Sequence, residues 1–129
     1  MKLLLDTHIW LWSLREPSRI AKRVQTALGH EANELWLSPV SVWEALTLHR
    51  KNKIQLRVDI ASWLAQSTSQ LREAPLTHEI VLTAHQLQLP HADPADHFLA
   101  ATAKVLGLTL VTSDQNLLGL GDIATLSNR

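Results

Sequence analysis

Hydrophobic residues occur along the chain in two recurring patterns. Short apolar runs, such as LLL before Asp6 and LWL before Ser38, are typical of buried strands. Between such runs, apolar residues recur three and four positions apart, as at Ile20, Val24 and Leu28, which indicates helices. Strands and helices are therefore predicted to alternate along the sequence.

Proline, glycine and capping residues set the predicted limits of these elements. Pro39 and Pro94 stand where helices begin, and Gly107 stands where one ends. The predicted strands are residues 2–6, 34–38, 74–76, 108–114 and 123–126, and the predicted helices are residues 7–14, 16–29, 39–51, 59–71, 77–87 and 94–106. This alternation favours a single α/β domain over residues 1–129, a three-layer α/β/α sandwich with a central parallel sheet.

Composition excludes several classes of protein. The 129 residues contain no cysteine, so there is no disulfide framework, thiol nucleophile or thiolate-bound metal. No apolar run is long enough to span a bilayer, and Asp6 interrupts the start MKLLLDTH where a signal peptide would continue its apolar region. We expect a soluble, cytoplasmic protein that does not enter membranes.

Charge is distributed unevenly although the net charge is zero. Residues 1–60 hold nine Lys or Arg against six acids, and residues 61–129 hold three against six. There are two basic clusters: the first is Arg15, Arg19, Lys22 and Arg23, with Glu16 among them, and the second is Arg50, Lys51, Lys53 and Arg57, which contains no acid. Each cluster fits either a solvated helix face or a surface for an anionic partner such as RNA.

Two predicted strands end in an acid, at Asp6 and Asp114. In a parallel sheet, ligands bind outside the carboxyl ends of the strands, at the point where the strand order reverses. Each acid taken alone could instead cap the helix that follows it. Their shared position predicts that both side chains lie at one rim of the sheet.

Further acids belong to helices that begin at that rim. Glu44 shares a helical ridge with Val40 and Leu48, which predicts an inward position, although a second apolar stripe leaves a surface position open. Asp93 precedes Pro94 and fits a helix cap, and Asp96 falls in the first turn of the same apolar helix.

Together these acids predict a metal site. Clustered carboxylates repel one another, and a hard divalent cation offsets that repulsion. Mg²⁺ or Mn²⁺ fits such oxygen ligands, and either ion supports hydrolysis of a phosphodiester by activated water. The expected ligands and catalytic groups are Asp6, Glu44, Asp96 and Asp114, with Asp93 as a further metal ligand.

The segments LLLDTH, SVWEA, DPADHFLAATA and LTLVTSD, in this order, resemble PIN-domain ribonucleases of the VapC toxin type. The resemblance spans nearly the whole chain. It implies a Mg²⁺- or Mn²⁺-dependent endoribonuclease, usually a homodimer, that is neutralised by a cognate antitoxin protein. It places the acidic quartet of the family on Asp6, Glu44, Asp96 and Asp114, with Asp93 beside the third position.

Neighbouring polar residues extend this resemblance. Thr7 and Ser113 adjoin quartet acids, where their hydroxyls could orient a carboxylate or a water molecule. His97 follows the third acid, where many such toxins have arginine, so a contact with RNA phosphate there would depend on pH. Arg15, Arg19, Arg50 and Lys51 are candidate phosphate contacts because they belong to these basic clusters.

Two other functions fit parts of the sequence. His8, His91 and His97 lie near the acids and could support metal-independent cleavage of RNA, which would survive EDTA. A non-catalytic RNA- or protein-binding module is the second alternative, because five tryptophans with one phenylalanine and no tyrosine favour an interaction surface. Trp10 and Trp12 are two residues apart on one predicted helix, so they cannot both face inward.

Overall fold

The computed structural model describes residues 1–89 and 93–129, and its sheet is parallel throughout. The strands are β1 (Lys2–Leu5), β2 (Glu34–Leu37), β3 (Arg72–Glu73), β4 (Thr109–Thr112) and β5 (Thr125–Ser127). They are arranged in the order β3-β2-β1-β4-β5. The chain therefore moves to one side of β1 with its next two strands and to the other side with its last two.

Helices connect the strands. They are α1 (Thr7–Arg15), α2 (Lys22–Gly29), α3 (Pro39–Arg50), α4 (Ile60–Ser67), α5 (His78–Gln86), α6 (Pro94–Leu106) and α7 (Gln115–Leu118). Within the described ranges, no helix is both long enough and apolar enough to cross a membrane.

Alternate residues of β1 are buried on opposite faces of the sheet. Leu3 and Leu5 pack with residues of α1, α2 and α3, whereas Leu4 packs with residues of α6 and α7. Both faces are thus covered by helices, which explains why the strands are apolar at successive positions rather than at every second one. The predicted three-layer α/β/α sandwich is confirmed.

Several predicted limits were wrong. The helix predicted over residues 16–29 is a 3₁₀ turn at Pro17–Arg19 followed by α2, because Ile20 takes an extended conformation that places its side chain in the core. The helix predicted over residues 59–71 ends at Ser67, before a turn closed by a hydrogen bond from Leu71 N–H to Thr68 O.

Two short strands are displaced from their predicted positions. The strand predicted at residues 74–76 is β3, since Arg72 and Glu73 pair with Trp36 and Leu37 of β2. The strand predicted at residues 123–126 is β5, two residues later at its start. Strands β3 and β5 are the edge strands of the sheet. Each pairs with a single neighbouring strand, and this pairing sets its register more than apolar packing does.

The strand order reverses between β1 and β4, which are neighbours in the middle of the sheet. The carboxyl ends of parallel strands open a crevice at such a point. Asp6 follows β1, Ser38 follows β2, and Ser113 and Asp114 follow β4. Two of the predicted acids, Asp6 and Asp114, therefore lie at this crevice.

Candidate active site

Asp6 lies at the centre of the crevice. Its side chain is only 8% exposed, and its Oδ2 accepts a hydrogen bond of 2.6 Å from the hydroxyl of Thr112 on β4. Although Asp6 directly precedes α1, its side chain makes no capping hydrogen bond. The capping interpretation of Asp6 was therefore wrong, and the carboxylate is directed toward the neighbouring strand.

The electrostatic environment of Asp6 opposes its charge. Burial raises the pKa of Asp6 above its ordinary value, and the negative charge of Asp114 raises it further. The Thr112 hydroxyl and His8 act in the opposite direction but do not cancel the effect of burial on this pKa. A buried carboxylate with so little compensation is typical of a functional site.

Glu44 reaches the same crevice from α3. This helix begins after Ser38, whose hydroxyl accepts a hydrogen bond of 3.1 Å from Val40 N–H. Ser41 and Ala45 form the most buried side of α3, and Glu44 is half-buried beside them. The inward position predicted from its helical ridge is confirmed, and the surface interpretation was wrong.

A pair of hydroxyls holds Glu44 in place. The Thr7 hydroxyl donates a hydrogen bond to Glu44 Oε1, and the Oγ atoms of Thr7 and Ser41 lie 2.8 Å apart. A hydroxyl has one proton, which Thr7 gives to the carboxylate, so Ser41 is the donor to Thr7. Thr7 thus orients a carboxylate, but it is that of Glu44 rather than that of the adjacent Asp6.

The pKa of Glu44 shows which acids surround it. Burial raises this pKa most, and the negative charges of Asp93, Asp6 and Asp96 raise it further, against the hydrogen bond from Thr7. Glu44 and these three acids come from four separate positions in the sequence. The fold therefore brings Asp93, Asp6 and Asp96 close enough to raise the pKa of Glu44.

Asp93 and Asp114 also serve as helix caps. Asp93 Oδ1 accepts a hydrogen bond of 3.1 Å from Ala95 N–H, and Asp114 Oδ1 accepts one of 2.9 Å from Asn116 N–H. The capping interpretations of these two acids are thus confirmed. A carboxylate has two oxygens with several lone pairs, so a cap does not use its whole capacity as a ligand. Asp96 lies half-buried in the first turn of α6.

The acids are neighbours without already forming a coordination sphere. In the described part of the chain, no three His, Asp or Glu side chains are arranged to hold a metal ion as they stand. The chemistry of the set nevertheless fits a hard divalent cation, because the donors are carboxylate oxygens and the pKa values of Asp6 and Glu44 are raised by burial and by neighbouring negative charge. A cation would relieve both effects.

Two hydroxyls at the site escaped the sequence analysis. Thr112 holds Asp6 and also accepts a hydrogen bond of 3.0 Å from Asp114 N–H, whereas the predicted Ser113 is exposed. Ser41 supports Thr7. The sequence spacing could have indicated both hydroxyls. Thr112 lies two residues before Asp114, and Ser41 lies three residues before Glu44, on the same side of α3.

A groove of about 670 Å³ has two of the five acids, Glu44 and Asp93, in its lining. Thr7, His8, Leu76, Trp43 and other residues of α3 and α6 also line it, whereas Asp6, Asp96 and Asp114 do not. His97 lies elsewhere: its Nδ1 donates a hydrogen bond of 3.2 Å to Ala84 O of α5. His91 falls outside the described residues.

The candidate phosphate contacts fall in two places. Lys51 lines the groove, and the Arg50 guanidinium lies 5.5 Å from the centre of the Trp43 ring. Arg15 donates to Gln55 O at 2.8 Å, and Arg19 lies 4.3 Å from the centre of the Trp12 ring. Among the residues that the structure describes, only the second basic cluster contributes to the lining of the groove, through Lys51.

Comparison with known proteins places this architecture in a family. The family model described as PIN domain matches residues 3–122. Ribonuclease VapC22 of Mycobacterium tuberculosis (strain ATCC 25618 / H37Rv) is 36% identical over 118 residues, which cover 89% of this chain and 88% of that protein.

Solved structures show the same fold. A chain of VapBC2 from Rickettsia felis, bound to a DNA fragment from its promoter, superposes with a TM-score of 0.74 at 16% identity, covering 98% of each chain. A chain of DNA-bound VapBC from Salmonella typhimurium gives a TM-score of 0.73 at 16% identity, again covering 98% of each. With a family model that spans most of its length and a relative of this identity, the chain belongs to the PIN-domain family.

Proposed function

We propose that the protein is a metal-dependent endoribonuclease and that residues 1–129 act as one nuclease domain. The observation that carries the proposal is the pair Asp6 and Glu44 at the strand-order reversal. One carboxyl is buried and the other half-buried, and the pKa of each is raised by burial and by surrounding acids. The 36% identity to a ribonuclease supports RNA as the substrate.

Mg²⁺ or Mn²⁺ is the proposed cofactor, held by Asp6, Glu44, Asp96 and Asp114, with Asp93 as a further ligand. Such an ion supplies an activated water and neutralises charge that develops on a phosphoryl group. Carboxylates that repel one another in the free protein become ligands that favour the same cation, so metal binding and deprotonation of Asp6 and Glu44 are coupled.

The protein groups around the acids have distinct roles in this proposal. Thr112 keeps Asp6 aligned across the sheet, and the Thr7–Ser41 pair keeps Glu44 aligned from α1 and α3. Mg²⁺ binds only one or two carboxylates directly and keeps several waters, so an acid of the cluster that contacts the ion through water would accept the proton of the attacking water. His8, on the wall of the groove, lies where it can donate to a phosphate oxygen of bound RNA.

We further propose that the protein is the toxin of a toxin–antitoxin pair, a cytoplasmic homodimer whose partner is a cognate antitoxin. Its solved structural neighbours include VapBC complexes from several bacteria, and Klebsiella pneumoniae contributes a further toxin–antitoxin complex. A toxin that cleaves RNA acts where RNA is located, which supports the cytoplasm as its compartment.

Cleavage of a mixed cellular RNA pool tests the enzyme assignment. Purified protein is incubated with Mg²⁺ or Mn²⁺, with EDTA, and as an Asp6→Asn variant that controls for contaminating ribonuclease. Discrete products only with metal and only with the unaltered protein support the proposal. Cleavage that survives EDTA would instead favour histidine-based chemistry, and no cleavage by antitoxin-free protein would favour a binding role.

The histidine alternative receives less support from the geometry. His8 lines the groove beside Glu44, whereas His97 hydrogen-bonds to α5 and lines a different cleft with Val81 and His85. A metal-free ribonuclease needs an acid and a base on opposite sides of one phosphate. Within residues 1–89 and 93–129, the two candidate histidines do not share a site.

A further inference from the structure

The groove beside the acids has an exposed tryptophan on its wall. Trp43 directly precedes Glu44 on α3 and is 62% exposed. The other tryptophans are buried or half-buried: Trp10, Trp12, Trp36 and Trp63. An indole carries a large apolar surface, so leaving it in water forgoes free energy that burial against a ligand would recover.

Cations accompany this ring. The Arg50 guanidinium lies 5.5 Å from the ring centre but does not line the groove, and Lys51 lines the groove itself. Both residues are exposed at the end of α3. An aromatic platform next to a cationic stretch is the combination that binds single-stranded nucleic acid, in which bases stack and phosphates pair with positive charge.

We propose that Trp43 stacks on a base of single-stranded RNA next to the reacting phosphate, with Lys51 contacting the strand's backbone. This subsite rests on the proposed ribonuclease function. Trp43 and Glu44 are consecutive residues of α3, and both line the same groove. A strand whose phosphate reaches the acids therefore passes the ring.

Charge and continuity favour RNA over a protein as the occupant. The acids repel phosphate, and Lys51 on the same groove supplies positive charge that offsets this repulsion. Trp43, Glu44 and Asp93 line this one groove, so an occupant that covers the ring lies beside these two acids. The strand must be single, because only an unstacked base offers its face to an indole.

Fluorescence anisotropy of labelled oligoribonucleotides tests the subsite directly. Single-stranded oligoadenylate and oligouridylate, and the duplex they form, are titrated with the full chain in EDTA, so that metal-dependent hydrolysis does not occur. The variants are Trp43→Leu and Trp43→Phe, with Leu82→Ala as a matched control, since Leu82 is an exposed apolar residue on α5, 58% exposed. Thermal melts establish that each variant is folded.

We expect Trp43→Leu to weaken single-strand binding about 5- to 150-fold, with oligoadenylate more affected because purines stack more strongly. Trp43→Phe retains a ring and should remain within a few-fold of the unaltered protein. Leu82→Ala should have no effect, and duplex binding should be equal in all variants. Equal single-strand binding by Trp43→Leu and the unaltered protein would overturn the subsite.

Two further measurements separate this proposal from its alternatives. If Trp43→Leu lowers the molar mass in sedimentation while RNA binding is unchanged, the ring belongs to an interface between copies of the chain and the subsite is wrong. If the unaltered protein cleaves RNA in an Asp6-dependent manner while Trp43→Leu binds normally, the subsite fails and the ribonuclease function stands. If Trp43→Leu loses single-strand binding but no protein cleaves RNA, the ring is a base-stacking site of an RNA-binding protein, and both the ribonuclease function and the subsite beside a reacting phosphate are wrong.

Discussion

Replacing Thr112 by valine tests whether the fold holds a charged Asp6 in place. Thr112 is fully buried, and its hydroxyl donates to Asp6 Oδ2 at 2.6 Å while accepting from Asp114 N–H at 3.0 Å. Valine preserves the shape and removes both contacts. Hydrogen bonds to charged groups contribute about 1.5–3 kcal/mol, so we expect Thr112→Val to lower the free energy of unfolding by about that amount at neutral pH.

The chain offers a matched control. Thr102 is equally buried, but its hydroxyl donates at 2.6 Å to Phe98 O, a carbonyl one turn earlier in α6. Thr102→Val removes a neutral contact within one helix and should cost at most about 1 kcal/mol. With 129 residues, the Thr112→Val deficit corresponds to a melting temperature lowered by about 5–11 °C.

The stability cost of Thr112→Val should depend on pH, and the raised pKa of Asp6 gives its direction. Because the pKa of Asp6 is raised in the folded protein, the folded state holds this proton more tightly than the unfolded state does, and stability falls as pH rises from the ordinary value of 3.8 through the raised one. Losing the Thr112 hydroxyl raises the folded pKa further. The deficit of Thr112→Val should therefore grow with pH through this window and shrink in acid, where Asp6 is protonated in both states.

Urea unfolding of four proteins forms the assay: the unaltered chain, Thr112→Val, Asp6→Asn and the double variant. In the Asp6→Asn background the lost hydrogen bond is neutral, so Thr112→Val should cost only about 0.5–1.5 kcal/mol. Equal costs in both backgrounds, or equal costs for Thr112→Val and Thr102→Val at neutral pH, would refute the reasoning.

Three further predictions follow from the same site. Glu44→Gln should lower the rate of RNA cleavage about 100-fold or more in a steady-state assay. In EDTA at neutral pH this variant should melt at the same or a higher temperature than the unaltered protein, because it removes a carboxyl group whose pKa is raised by burial. A lower melting temperature would contradict this. Mn²⁺ should raise the melting temperature of the unaltered protein more at pH 8 than at pH 5, since binding must displace protons from Asp6 and Glu44, and should have no such effect on Asp6→Asn. Lys51→Ala should weaken binding of RNA and reduce the slope of log affinity against log salt by about 1, whereas Lys104→Ala, whose ammonium pairs with Asp122 at 3.2 Å, should leave the slope unchanged.

The sequence predicted the sheet and its rim because those features depend on local signals. The apolar run before Asp6 and the proline and glycine around α6 fix where a strand ends and where a helix begins and ends. Gly107, at φ 66°, takes the left-handed conformation that ends α6, which an L-residue with a side chain rarely adopts. The position of Glu44 followed from its helical ridge in the same way.

Long-range contacts could not be predicted in this manner. The Thr7–Glu44 hydrogen bond joins residues 37 apart, and the Thr112–Asp6 bond joins residues 106 apart. The register of β3 likewise depends on its pairing with β2 rather than on its own two residues, Arg72 and Glu73, both exposed. The exposure of Trp43 depends on how α3 packs through Ser41 and Ala45, which its own residue pattern does not determine.

The central claim is that water, activated at the carboxylate cluster, attacks the phosphodiester. Once a cleaved site is mapped in RNA, the same oligonucleotide is prepared with a single 2′-deoxy residue on the 5′ side of the scissile phosphate and incubated with the protein and Mn²⁺. Attack by water does not use the 2′-hydroxyl, so we expect cleavage at a comparable rate with products that carry a 5′-phosphate, lost in Asp6→Asn. A substrate that resists cleavage when this one hydroxyl is removed, with the all-RNA substrate still cut in EDTA, would contradict the account.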